Sequence, residues 1–168
     1  LAVAGLLRTA GRRPVFLTRG YGGTVTDPTL VDRSRHRADR VGDEPLLLAR
    51  QAPTVVAADR FDGATLAAAL GDTIVMDDGL QNPSLAKTLS FVVIDGATGC
   101  GNGLLLPAGP LRTPLAAGLA AADAFIIIGD DRCGITAALP PGKPVFRADF
   151  SVTTHLPEAP YIGFSGIG

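Results

Sequence analysis

Tryptophan is absent from this 168-residue chain, and aromatic residues make up only 5% of it. A core here has to be built from aliphatic side chains packed over small ones. An excess of either charge is also missing. Fifteen Lys and Arg against sixteen Asp and Glu leave a net charge of -1. That balance excludes a broad electrostatic grip on nucleic acid, though not a local basic patch. Cysteine is scarce: Cys100 and Cys133 form no CxxC pair and show no metal-ligand spacing. They are predicted to be free thiols in a reducing compartment. No apolar run is long enough to span a bilayer as a helix. Residues 1–7 carry no Met and no charged leader, and the last three residues are Gly-Ile-Gly. Both ends read as interruptions of a longer chain. What is present is globular in composition, 46% hydrophobic and 18% charged.

The pattern along the chain alternates strands with helices. Strands are expected at 15–18, 54–57, 73–76, 89–94, 124–128, 145–150 and 161–164. Helices are expected at 1–10, 43–51, 64–70 and 114–122, the first closed by Gly11. Residues 32–40 mix Asp32 and Asp39 with Arg33, Arg35, Arg37 and Arg40, and read as a solvated loop. His36 and His155 are isolated, surface or structural residues. Several strands are apolar throughout, which implies an α/β fold: a mostly parallel sheet with helices on both faces. Ligands in such sheets sit at the carboxyl ends of the strands. The polar clusters fall there: Arg19-Gly20-Tyr21, Asp77-Asp78 and Asp95-Gly96. Residues 1–144 are expected to form one domain. Residues 145–168 are expected to be linker strands leading into a second.

Four motifs carry chemistry. Ile74-Val75-Met76-Asp77-Asp78-Gly79 is an apolar strand running into acid, the form of a Walker B element, whose carboxylate helps hold Mg²⁺ beside nucleotide phosphates. The alternative is an Asp-Gly hairpin turn. Gly42-Asp43-Glu44-Pro45 precedes an apolar helical run. Asp43 is either the N-cap of that helix or a fixed carboxylate able to accept a proton from a hydroxyl. Thr18-Arg19-Gly20-Tyr21-Gly22-Gly23 allows close backbone approach and offers Arg19 to phosphate, or is an ordinary turn. Leu106-Pro107-Ala108-Gly109-Pro110-Leu111-Arg112 is a rigid loop with Arg112 at its end, or a capped helix start. Gly99-Cys100-Gly101-Asn102-Gly103 imitates a dinucleotide-binding loop, but no clear helix start follows it, and it reads as a plain loop.

In this order the four motifs resemble the tetraacyldisaccharide 4'-kinase family, over nearly the whole chain. The resemblance implies a P-loop-kinase-like fold, here truncated at both ends. It implies ATP-dependent phosphorylation of the 4'-hydroxyl of a tetraacylated disaccharide 1-phosphate in lipid A synthesis, with ATP and Mg²⁺ as cofactors. It also implies a lipid disaccharide substrate, and a peripheral place on the cytoplasmic face of a Gram-negative inner membrane. Carried over by position, Asp43 resembles the catalytic base, and Asp77 and Asp78 resemble the Mg²⁺ and phosphate-organising acids. Gln81 and Asn82 belong to the same nucleotide-side run. Arg19, Gly20, Tyr21, Glu44, Arg60 and Arg112 resemble substrate- or phosphate-contacting residues.

The sequence departs from the family pattern in three places. The family's Gly-rich Lys-Thr loop is expected just before Leu1 and is not in the chain. Its late Asp-His-His segment is expected beyond residue 168. Asn82 stands where many members have His, and Asn cannot titrate. This stretch alone is therefore expected to be inactive. Two other functions fit parts of the sequence: a Rossmann-type oxidoreductase using residues 99–103, and a degenerate binding module that has lost its phosphate loop.

Overall fold

The computed structural model describes residues 1–151; the strand expected at 161–164 and His155 lie outside them. Two compact units make up the chain, the first from Leu1 to Thr88 and the second beginning at Leu89. The division thus falls well before residue 144. Residues 145–148, expected as linker, pair into the sheet of the second unit.

The first unit runs α1 (Ala2–Thr9), β1 (Pro14–Thr18), β2 (Thr29–Leu30), α2 (Ala38–Val41), α3 (Asp43–Leu48), β3 (Thr54–Val56), α4 (Arg60–Leu70) and β4 (Thr73–Met76). Its sheet has the order β2-β3-β1-β4. Strands β3 and β4 both pair with β1 in parallel, while the two-residue edge strand β2 is antiparallel. Every residue of β1 is buried, as a central parallel strand covered on both faces requires. Alternation along β1 divides its side chains between two cores. Val15 and Leu17 meet Ala67 of α4, Val55 and Ala57. Phe16 meets Ala4 of α1, Leu48 at the end of α3, and Ala52 in the turn that follows. Fully burying a Val, Leu or Phe side chain contributes about 1.5–3 kcal/mol. Helix α4 comes close to the sheet at Gly63, where a Cβ would stand 2.7 Å from both Leu17 Cδ1 and Ala57 Cβ.

Helix α4 begins at Arg60, four residues before the expected start. Asp59 caps it, accepting from the N–H groups of Phe61 (2.8 Å) and Asp62 (3.1 Å). Residues 32–40 are more ordered than a solvated loop. The Asp32 carboxylate accepts from the Ser34 N–H and hydroxyl at 2.9 and 2.6 Å. His36 Nδ1 accepts from the Asp32 N–H at 3.1 Å, a structural role. Helix α2 then closes the segment. The arginines at 33, 35, 37 and 40 remain exposed.

The second unit holds β5 (Phe91–Asp95), α5 (Leu115–Ala121), β6 (Ala124–Ile128), a 3-10 turn (Ile135–Ala138) and β7 (Val145–Ala148). Its three strands among the described residues are parallel, in the order β5-β6-β7. Ile94, Leu119, Phe125, Ile127 and Ile135 form its core. Lys143 Nζ donates to the carbonyls of Leu119, Ala120 and Ala122, satisfying the acceptors that α5 leaves at its end. Cys100 and Cys133 are free thiols. Burial pushes the Cys100 thiol above its ordinary pKa, as does the charge of Cys133, which makes it an unreactive one.

Candidate active site

Strand order locates the crevice of the first unit. From β1 the chain crosses to β3 on one side, then returns past β1 to β4 on the other. The carboxyl end of β1 is therefore the point where the connections diverge, the usual ligand crevice of an open α/β sheet. Thr18 and Arg19 stand at that end of β1, and Asp77 follows the neighbouring β4. The Asp77 N–H donates to the Leu17 carbonyl at 3.0 Å, extending the pairing by one residue. Asp78 then takes a left-handed backbone, φ 50°, a conformation uncommon outside Gly and best tolerated by Asp and Asn. That turn ends the strand and carries the chain away, so the Asp-Gly hairpin does not form. The next strand, β5, belongs to the second unit.

Two loops from separate motifs are locked together beside this strand end. Gly20 has φ +73°, and a Cβ on it would overlap Val56 Cγ1 and stand 2.7 Å from the Val41 carbonyl oxygen. Gly42 has φ +90°, and a Cβ there would stand 2.7 Å from the Tyr21 carbonyl oxygen. The N–H groups of Thr24 and Val25 both donate to the Arg40 carbonyl, at 2.9 and 3.0 Å. The close approach these glycines permit is thus between two stretches of protein backbone. It fixes the start of α3 next to the loop carrying Arg19 and Tyr21. Gly42, not Asp43, occupies the N-cap position, and no side chain caps the helix. Asp43 is the first helical residue, and its Oδ1 accepts the Glu44 N–H at 2.9 Å. The capping role weighed for Asp43 is not the one it plays.

The acids of the two motifs meet. Glu44 has its pKa raised, first by partial desolvation of its carboxyl, then by the charge of Asp77 and a hydrogen bond to it, and further by Asp43 and Asp78. One side chain thus reports all three other carboxylates. Thr18, which sequence reasoning did not single out, donates from Oγ1 to Asp77 Oδ2 at 3.4 Å. Its signal was the hydroxyl placed at the last position of an apolar strand. Arg60 lies behind the acids, only 7% exposed. Its Nη2 donates to the Asp77 carbonyl at 3.4 Å, while its Nη1 is buried without a hydrogen-bond partner. Burial lowers the Arg60 pKa and the charge of Arg19 lowers it too, against the opposite pull of Asp77 and Asp78. Buried guanidinium nitrogens are rarely left unpaired. This one is suited to an oxyanion supplied by a ligand.

The other expected residues face solvent or are bonded locally. Tyr21 is 91% exposed, on the loop that holds Arg19. Asn82 spends its side-chain oxygen locally, accepting from the Ser84 N–H at 3.0 Å and hydroxyl at 2.6 Å, and Gln81 beside it is exposed. Arg112 belongs to the second unit and is exposed there. Residues 99–103 form successive turns, and no helix begins until Leu115. The amino-terminal helix dipole that a dinucleotide loop needs is missing behind them, so nothing favours the oxidoreductase.

Among the described residues no three of His, Cys, Asp and Glu are placed to enclose a metal ion. Mg²⁺ does not need such an enclosure. It keeps several waters and is held by one or two carboxylates together with substrate phosphates. Asp77 and Asp78 at a strand end fit that demand.

Known proteins match this chain. The family model for tetraacyldisaccharide-1-P 4'-kinase, LpxK, matches residues 1–168. The tetraacyldisaccharide 4'-kinase of Gluconacetobacter diazotrophicus is 53% identical, over 100% of this chain and 53% of that protein. That of Methylobacterium nodulans is 52% identical, over 100% of this chain and 52% of its own length. Among solved structures, LpxK from Aquifex aeolicus, described as an "apo" form in complex with ATP, superposes with a TM-score of 0.70 at 27% identity. That match covers 87% of this chain and 48% of the other. The chain spans about half the length of the curated relatives it matches. With its motifs in order, its fold matched and its whole length covered, the chain belongs to the tetraacyldisaccharide 4'-kinase family.

Proposed function

We propose that the protein carrying this chain transfers the γ-phosphoryl group of ATP to the 4'-hydroxyl of a tetraacylated disaccharide 1-phosphate, a step of lipid A synthesis. The observation that carries the proposal is the meeting of Asp43, Glu44, Asp77 and Asp78 at one strand end, with Arg19 and Arg60 beside them. Phosphoryl transfer needs little covalent help from a protein. It needs positioning, charge neutralisation and a base.

Asp43 is the base in this reading. It takes the proton of the sugar hydroxyl as the oxygen bonds to the γ-phosphorus and the bond to the β–γ bridging oxygen breaks, releasing ADP. Its Oδ1 is already steadied by the Glu44 N–H, which leaves the other oxygen for the hydroxyl. Asp77 and Asp78 would hold Mg²⁺, which when bound offsets the negative charge of the phosphates. Partial burial and its acidic neighbours raise the pKa of Glu44. Glu44 can donate to Asp77 and so limit repulsion within the group. Arg60 directs its unpaired Nη1 to a phosphate oxygen, and Arg19 adds a second positive charge from the exposed side. Tyr21, Arg112, Gln81 and Asn82 are proposed as outer contacts to substrate and nucleotide. A lipid substrate also suggests a peripheral site of action, at the cytoplasmic face of the inner membrane. No helix among the described residues is long and apolar enough to cross a bilayer.

The test is an assay of the full-length protein with ATP and the disaccharide lipid. Transfer to the 4'-position, lost in Asp43→Asn, is expected. Hydrolysis of ATP with no lipid acceptor, or transfer unchanged by the substitution, would remove this reading.

A further inference from the structure

Leu104, Leu105 and Leu106 are 52%, 45% and 62% exposed. Single exposed leucines are ordinary on a protein surface, but three in succession are not. Their loop is also built rather than loose. The Leu104 N–H donates to Asn102 Oδ1 at 3.1 Å. Those of Leu106 and Leu111 donate to the carbonyls of Leu111 and Leu104 at 2.9 and 3.1 Å, and that of Gly109 to the Leu105 carbonyl at 3.0 Å. Asn102 Nδ2 donates to the Ala108 carbonyl at 2.8 Å. Pro107 and Pro110 have no N–H to satisfy. Gly109 lies so close that a Cβ would overlap Asn102 Oδ1 and stand 2.5 Å from the Leu104 carbonyl oxygen. Asn102, the fourth residue of the false dinucleotide motif, is therefore the brace of this loop.

A loop facing water has no need to close its backbone on itself, since water satisfies any N–H left over. Hydrocarbon satisfies none. Residues 103–111 carry no charged side chain, and their backbone donors are largely spent within the loop. We propose that residues 104–106 form a wedge that enters the acyl layer of the lipid surface presenting the substrate. The proposal rests on the lipid-kinase reading and names the part of the chain that touches lipid hydrocarbon. The brace by Asn102 keeps the three leucines together without help from lipid, so little order has to be gained on contact.

The full-length protein tests it, with Leu105→Trp as a reporter and vesicles of phosphatidylethanolamine and phosphatidylglycerol. The added indole should shift its emission to the blue on the vesicles and be quenched by bromine carried on the acyl chains. Changing all three leucines to Ser should weaken vesicle partitioning roughly tenfold or more, with the melting midpoint unmoved because these side chains are exposed. An indole that stays unquenched while the protein is vesicle-bound overturns the proposal, since the leucines then face protein. So does a triple variant that partitions like the parent. Transfer to the disaccharide lipid in detergent is measured alongside. Transfer without quenching sinks the wedge and spares the kinase. Quenching without transfer supports the wedge and sinks the kinase.

Discussion

Arg60 reaches the carbonyl of Asp77 with one guanidinium nitrogen, at 3.4 Å, and keeps the other buried with no partner. The first contact ties the start of α4 to the end of β4. The second is a stability cost that an anionic ligand would offset. Substituting Arg60→Met removes a buried charge while filling its space. The fold should lose no more than about 1 kcal/mol, and can gain, because apolar replacement of buried ionic groups is often neutral or better. Phosphoryl transfer should fall roughly a hundredfold or more, in the range seen when a donor to transition-state charge is removed. Arg60→Lys should not restore it, since an ammonium lacks the planar fork. Thermal unfolding and steady-state rates measure both effects. A variant that melts far lower, yet turns over normally, would make Arg60 a structural residue.

The locked loops give a comparison between neighbouring glycines. Gly20 and Gly22 both have positive φ, +73° and +79°. A Cβ at Gly20 meets Val56 and the Val41 carbonyl, whereas at Gly22 it meets nothing within 4 Å. Gly22→Ala should cost only the backbone strain, about 1–2 kcal/mol. Gly20→Ala should cost clearly more, and should also lower transfer by moving the start of α3 and with it Asp43. Denaturant midpoints and rates of the two variants check the order. Equal losses would mean that the interlock contributes nothing beyond φ.

At the opposite end of the sheet, Asp72 joins β1 to β4. Its Oδ1 accepts the Arg13 N–H at 2.9 Å and the Thr73 hydroxyl at 2.9 Å, and Arg12 Nε lies 3.3 Å away. Those hydrogen bonds, with the arginine charges, hold its pKa below the ordinary 3.8. A depressed carboxylate pKa stabilises the fold above the unfolded value and loses that contribution as pH falls through the folded one. Asp72→Asn should therefore melt lower than the parent at neutral pH, and the gap should begin to narrow below about pH 4 and keep narrowing as the pH falls further. Melting curves across pH 3–7 decide it. A gap independent of pH would assign the effect to lost packing, not to the charge.

Much of this was legible beforehand because its causes are local. The apolar runs at β1 and β6 stated their own burial, the one at β4 is only half-buried, and the acid after β4 marked a strand end. The meeting of Glu44 with Asp77 was not local. It depends on strand order and on two glycine-bearing loops that approach through space, and neither is written in periodicity. The glycines were correctly read as permitting close approach, but the partner is backbone from residues 40–42. The start of α4 is hidden in the periodicity because Asp59-Arg60 places charge where an apolar stripe would begin. The division after Thr88 was missed because both units share one β-α rhythm, and only pairing separates two sheets from one. Asn102 carries no signal in the sequence, since a side chain bracing a loop six residues ahead leaves no spacing signature.

The central claim is that acids from two distant motifs form one site for phosphoryl transfer. It is tested most directly by single-turnover transfer in the full-length Asp43→Asn protein, with ATP affinity measured on the same sample. The expected result is a rate reduced at least about a thousandfold, the scale of a lost positioned base, with ATP binding within about twofold of the parent. A rate within a few fold of the parent would contradict it, and would leave the cluster of carboxylates without a catalytic purpose.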